Sequence, residues 1–258
     1  MYGIEPARYT CHRAAGPITV DGKLDEASWI AAPKSGPLVD IVTGAPAWYD
    51  TQVALLWDDE NLYVGFWAQE PRVHATLTER DSRIYEDNDF EVFIAGPDGQ
   101  DHTYYEFEVN ALNTVYEVFW IWKDRPLLPG FDPTKERMLI LDGVGGHVHP
   151  RGERWGFLDW DLPGMRSAVH RTPTGWSAEL AFPWKGLALI SGTPGPPKNG
   201  DVWRIDCSRF QQVDQQGKPI PPGAGWTWNR HGHYDSHIPE VFPYVRFSST
   251  EPVCGGTI

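Results

Sequence analysis

Two packed antiparallel β-sheets with only short helical turns are what the chain predicts, on three observations. Short runs of alternating apolar and polar residues recur along the whole length. Pro (23) and Gly (26) separate these runs throughout, and no amphipathic run reaches helical length. In order, "PITVDG" reads as a strand ending in an Asp21-Gly22 turn, and "LDEASWIAA" as one short helix with Leu24, Trp29 and Ile30 on its apolar stripe. "TQVALLWDDENLYVGFWAQE" is a hairpin around "DDEN". "DFEVFIAG", "TYYEFEVN" and "TVYEVFW" form a meander of consecutive strands, the first two joined by a "PDGQD" turn. Residues 123–165, rich in Pro, Gly and charge, read as a long excursion with little regular structure. "MRSAVHRT" and "GWSAELAFPW" make a second hairpin, "KGLALI" a helical turn and "DVWRIDCSRFQ" a strand. "QVDQQGKPIPPGAG" reads as a loop, and "WTWN" and "YVRFS" complete the sheets. With no internal repeat or linker, 1–258 is expected to be a single domain.

A formal charge of −13 without any Lys/Arg run makes nucleic acid an unfavourable partner, because its phosphates are repelled. No stretch approaches the roughly 20 apolar residues of a membrane span. "MYGIEPARYT" has no basic start followed by an apolar run, so it does not read as a signal peptide, and localisation stays open. The three cysteines show no CxxC spacing, so neither a disulfide framework nor a zinc ribbon is indicated. Cys207 reads as a core thiol, and a Cys11–Cys254 bridge stays open. The 13 Trp, 10 Tyr and 11 Phe are more than a solvated sheet needs, so some rings are expected in the core and others as stacking surfaces.

Strand parity assigns the polar residues to faces. Phe90, Val92 and Ile94 share one side with Tyr105, Phe107 and Val109, and with Trp203, Ile205 and Cys207. Asp89, Glu91, Tyr104, Glu106, Glu108, Asn110, Arg204, Asp206 and Ser208 fall on the other. A polar outer face is ordinary for an antiparallel sheet. Carboxylates beside Tyr104, Tyr116, Trp120 and Trp122 are more than that, because sugar recognition uses acceptors for hydroxyls and rings for C–H faces.

The ordered series "ITVDGKLDEASW", "VALLWDDENLYVGF", "YEDNDFEVFIA", "YYEFEVNALNTVYEV", "GWSAELAFPWKGL", "GDVWRIDCSR" and "HIPEVFPYVRF" resembles the family 9 carbohydrate-binding modules, over about residues 17–247. The resemblance implies a DOMON-like or jelly-roll-like sandwich, a superfamily that binds sugars or, in some branches, haem. It implies non-catalytic binding of a glycan end or oligosaccharide, from a polysaccharide partner, in an extracellular or cell-surface setting. By the same resemblance, a stacking ring falls on Tyr85, a carboxylate on Glu91, and polar contacts on Glu108 and Asn110. Glu108 stands where the family often has a basic residue. The second ring falls within "WTWNRHGHYDSHIPE", on Trp226, Trp228, Tyr234 or His237. The resemblance extends to calcium-binding sandwiches, for which Asp21, Asp25 and Glu26 offer oxygen ligands. Read residue by residue, Asp21 is a turn and Asp25 a helix cap.

Two other chemistries are open. Glu91 and Glu108 on neighbouring strands, with Glu106 beside them, could form the carboxylate pair of a glycoside hydrolase, since cross-strand Cβ atoms lie about 5 Å apart. His231, His233 and His237 cluster, as do His147 and His149, and two-residue spacing makes His231 and His233 a candidate metal pair. A haem or redox-metal sandwich needs a His opposed by a Met or a second His, and Met138 and Met165 lie in or beside the excursion.

Overall fold

The computed structural model describes residues 2–100, 102–135 and 137–252. The chain opens with β1 (Arg8–Arg13), the short helix α1 (Ala27–Ala31) and a two-residue strand β2 (Val39–Asp40). The hairpin β3 (Thr51–Trp57) and β4 (Asn61–Gln69) follows. Asp58 closes its turn by accepting from the amides of Glu60 and Asn61 at 2.8 Å each. The meander is β5 (Asp89–Pro97), β6 (Thr103–Asn110) and β7 (Val115–Trp122). Then come β8 (Met138–Leu141), β9 (Arg154–Phe157), β10 (Arg166–Thr172), β11 (Gly175–Pro183) and the helical turn α2 (Ala188–Ser191). The last three strands are β12 (Val202–Val213), β13 (Pro219–Thr227) and β14 (Tyr244–Ser248).

One hydrogen-bonded path runs β10-β11-β4-β3-β1-β14-β12-β5-β6-β7-β9-β8 and folds over on itself. The layer β10-β11-β4-β3 faces the layer β12-β5-β6-β7-β9-β8, and the main core lies between them. Pairing is antiparallel except at the seam, where β1 runs parallel to both β3 and β14. Phe90 of one layer stacks between Phe66 and Trp176 of the other, with ring centroids at 4.4 and 3.9 Å. The parity assignment holds: Phe90, Val92, Ile94, Tyr105, Phe107, Val109, Trp203, Ile205 and Cys207 all enter this core.

Three local expectations need correction. Residues 17–20 form no strand. Their neighbourhood satisfies its amides with carboxylates instead: Thr19 donates to Glu26 Oε1, while Asp21 and Gly22 donate to Glu179 Oε2. Gly22, at φ +83°, lies so close to β10 that a Cβ would sit 2.7 Å from the His170 nitrogen. The 123–165 excursion contains β8 and β9, which extend the sheet beyond β7; their short apolar run showed no alternation. The proline-rich 219–225 stretch is part of β13, an outlying strand whose register with β12 breaks between Gln211 and Val213. Proline is tolerated there because an outlying strand leaves amide positions outside the ladder. Cys11 and Cys207 are buried thiols, whereas Cys254 lies outside the described residues. Among the described residues no helix is long and apolar enough to cross a membrane.

Glu179 on β11 anchors the N-terminal segment and also accepts from Trp29 Nε1 at 2.8 Å. Trp29→Phe keeps the ring packing and leaves Glu179 Oε1 without that donor. The expected cost is about 1–2 kcal/mol in urea unfolding. An unchanged midpoint would show that the anchor does not need this bond.

Candidate functional site

The outer face of β12-β5-β6-β7 carries the acidic residues, and register arranges them in rows. Ser208, Glu91, Glu108 and Tyr116 lie side by side across the four strands, and Asp206, Phe93, Glu106 and Val118 form the next row. Phe210, Asp89 and Asn110 form the row on the other side. The face is not a solvated one: Glu91 and Glu106 are 3% exposed, Glu108 1%, and Asp89 and Asp206 are fully buried.

A strap over residues 228–243 covers it, and this explains the histidine-rich motif. His231 Nε2 meets Asp206 Oδ2 at 3.1 Å, Ser236 bonds Glu91, and His237 Nε2 approaches Glu106 Oε1 at 3.4 Å. Burial opposes protonation of His231, but the Asp206 carboxylate outweighs it and raises the imidazole pKa. The balance is reversed at His237, where burial and then Arg154 push the ring down to about 3. His237 is therefore a neutral hydrogen-bond partner, accepting from or donating to the Tyr104 hydroxyl at 3.0 Å through Nδ1. His231 and His233 do not form the expected metal pair. Both His231 nitrogens are engaged, the second at 2.8 Å from the Asp235 carbonyl, and His233 stacks on His147 with centroids 4.2 Å apart.

Each acidic residue of the β5 approach has its own role. Glu86 is exposed. Asp87 holds the preceding segment by accepting from the amides of Thr76 and Leu77 and from Asn110 Nδ2. Asn88 donates to Glu70 and accepts from Gln212. Only Glu91, in the Glu108 row, and Asp89, in the row beside it, converge with Glu108: one ligand oxygen from each lies within 4.8 Å of the others. Burial, reinforced by neighbouring carboxylates, pushes all three well above the usual carboxylate range. Glu106, held by Trp120 Nε1 at 2.7 Å, is pushed up to about 7 for the same first reason.

Two tyrosines flank this row. Tyr85, on a 3₁₀ turn just before β5, is 40% exposed and meets Tyr116 edge-on at 5.9 Å. Its backbone amide bonds Glu108. Tyr234, on the strap, is half-buried and meets Phe210 edge-on at 5.7 Å. Burial first, then Glu91 and Asp89, raise the Tyr234 phenol. The rings thus stand toward the two ends of the Ser208–Glu91–Glu108–Tyr116 row, which spans three strand spacings, roughly 14 Å.

The other expected contacts lie elsewhere. Trp226 pairs across from Arg209 on the core side and packs edge-on against Trp48 and Tyr49; Trp228 packs on Tyr9 at 5.1 Å. Parity turns both tryptophans away from the acidic face. The Asn110 side chain is fully engaged, donating to Leu77 O and Asp87 and accepting from the amides of Leu112 and Thr114. His237 is enclosed among Phe93, Tyr104 and Trp120. Asp21 binds the Lys23 ammonium at 2.7 Å, and among the described residues no third ligand converges with Asp21 and Asp25. A calcium ion there would have to displace Lys23, so that donor set does not fit one.

Sequence reasoning missed Arg154. Its guanidinium is fully buried, 4.9 Å from the Trp122 ring centroid and 5.9 Å from those of Tyr104 and Trp120. It supplies positive charge beside Glu106 and Asp235. Its strand lies inside the 123–165 stretch, where no alternation marked an inward position.

Residues 20–120 match the family described as carbohydrate family 9 binding domain-like, which bears out the resemblance read from the motifs. A family 9 carbohydrate-binding module from Caldicellulosiruptor kristjanssonii in complex with glucose superposes with a TM-score of 0.57 at 14% identity, over 96% of this chain and 100% of that one. A cellotriose complex of a family 9 module from the same organism gives 0.56 at 14% identity, over 96% and 98%. A protein of Bacteroides uniformis, provisionally described as carbohydrate-binding, gives 0.63 at 14% identity, over 95% and 100%. These likenesses place the fold. Comparison with curated proteins finds no match.

Proposed function

From a family 9 carbohydrate-binding match over residues 20–120 and a family 9 sandwich fold, we propose that the chain binds carbohydrate, a glycan end or short oligosaccharide, at the Tyr85–Tyr234 face. The observation that supports it is a pair of partly exposed tyrosines standing over a row of carboxyls. Tyr85 offers a face to pyranose C–H groups, and Glu91 and Glu108 accept from or donate to hydroxyls according to their protonation. The solved relatives carry glucose and cellotriose, which makes a glucose-terminated glycan the first ligand to try.

Calorimetry with glucose, cellotriose and a broad glycan array tests this. Tyr85→Ala is expected to weaken binding about tenfold or more, roughly 1.4 kcal/mol, with the fold intact by circular dichroism. Tyr85→Trp should retain it. A wild-type chain that binds no glycan on the array overturns the reading.

Glu91 directly opposite Glu108 raises the alternative of glycoside hydrolysis. That chemistry needs one protonated acid and one ionised partner, with environments that drive their pKa values apart. Here burial moves both in the same direction, which favours binding over turnover.

A further inference from the structure

We propose that Asp89, Glu91 and Glu108 form a binding site for one hard divalent cation of the calcium class, seated under Tyr85 on the acidic face. Three carboxylates from adjacent strands converge within 4.8 Å of one another, inside the roughly 5 Å that two oxygens on one calcium ion can span at 2.3–2.6 Å each.

A second observation is independent of the convergence. Asp89 Oδ2 and Glu108 Oε2 are buried oxygens that accept from no donor among the described residues. Buried acceptors are normally satisfied, and an orphaned one calls for an explanation. Ser208 and Ser236 donate to Glu91, the Phe210 amide to Asp89 and the Tyr85 amide to Glu108, while Glu108 also shares a hydrogen bond with the Glu106 carboxyl and the Arg209 charge acts on Asp89. Carboxylates converging at this depth call for a neutralising partner, and a cation supplies it. Tyr85, Tyr116 and Tyr234 around the row supply rings close enough to sensitise a bound lanthanide.

The test uses the full chain stripped with EDTA, without sugar, and titrates Ca²⁺ by calorimetry and Tb³⁺ by luminescence on aromatic excitation. One equivalent is expected to bind at pH 8. Glu108→Gln and Asp89→Asn should each weaken it tenfold or more while keeping the far-ultraviolet spectrum, and Asp21→Asn should not. If one variant fails to fold, the other decides. Absence of stoichiometric binding at pH 8, or binding unaltered in whichever of the two variants folds, overturns the proposal. A chain that binds Ca²⁺ but no glycan keeps this site and loses the sugar reading, so the two failures are distinguishable.

Discussion

Glu70→Ala is expected to destabilise the chain by about 3–5 kcal/mol, read as a fall in the urea midpoint. Glu70 and Arg209 form a fully buried ion pair, Oε2 to NH2 at 3.0 Å, that ties the end of β4 in one layer to β12 in the other. Glu70 also accepts from Trp176 Nε1 and Asn88 Nδ2, each at 2.6 Å. Arg209 donates to Thr51 Oγ1, Gln69 O and Gln211 Oε1 as well. Alanine removes one charge and leaves a guanidinium buried with no counter-charge, together with an indole and an amide lacking acceptors. Removing one partner is costly for that reason, whereas replacing the pair by apolar residues is often nearly neutral. Glu70→Ala with Arg209→Met should therefore be less destabilised than Glu70→Ala alone. Equal losses would mean that the pair acts through packing rather than charge.

The acidic face is expected to contribute less stability as pH rises from about 4.5 to about 7 in EDTA. Glu106 has its folded value raised from 4.5 to about 7, so between these limits the native state holds a proton that the unfolded chain releases. Its contribution is complete below 4.5 and lost once the pH passes about 7, and the interval corresponds to about 3 kcal/mol. Asp89, Glu91 and Glu108 shift in the same direction, and so add to the loss. The His231–Asp206 contact has the same sign, because a raised imidazole loses its stabilising proton on the way up. His237 opposes it: its folded value is depressed to about 3, so the stability it withholds at low pH returns as the pH rises through 6.5. Thermal melts at pH 5 and pH 8 measure the difference, and Glu106→Gln should flatten it by roughly the Glu106 share. A Glu106→Gln chain with the same pH 5 to pH 8 difference as wild type would contradict a protonated Glu106. Calcium added at pH 8 is expected to restore part of the loss.

The strands that position the site were legible because their alternation is strong. β5, β6 and β12 each place apolar residues inward at every second position, so Glu91, Glu106, Glu108, Asp206 and Ser208 could be assigned to one face without any coordinates. Tyr85 was legible as a ring at the entry to that face only through the family motif. β8 and β9 were missed because they are short and carry no regular alternation, and β1 because only Tyr9 and Cys11 mark its inward side. β13 was missed because its prolines imitate a loop.

The all-β class and the side of each long strand that meets the core follow from the order of residues alone, because side-chain direction alternates with a period of two. Whether the polar side meets water was a tertiary matter. The 228–243 strap, distant in sequence, lays His231, Ser236 and His237 onto individual carboxylates. Burial under that strap makes the row a set of high-pKa acids with orphaned oxygens, whereas the same residues on an open face would be ordinary solvated charges. The opposite lesson applies to Trp226 and Trp228. A motif window could include them as stacking rings, but only their pairing with β12 and Tyr9 shows that they fill the core.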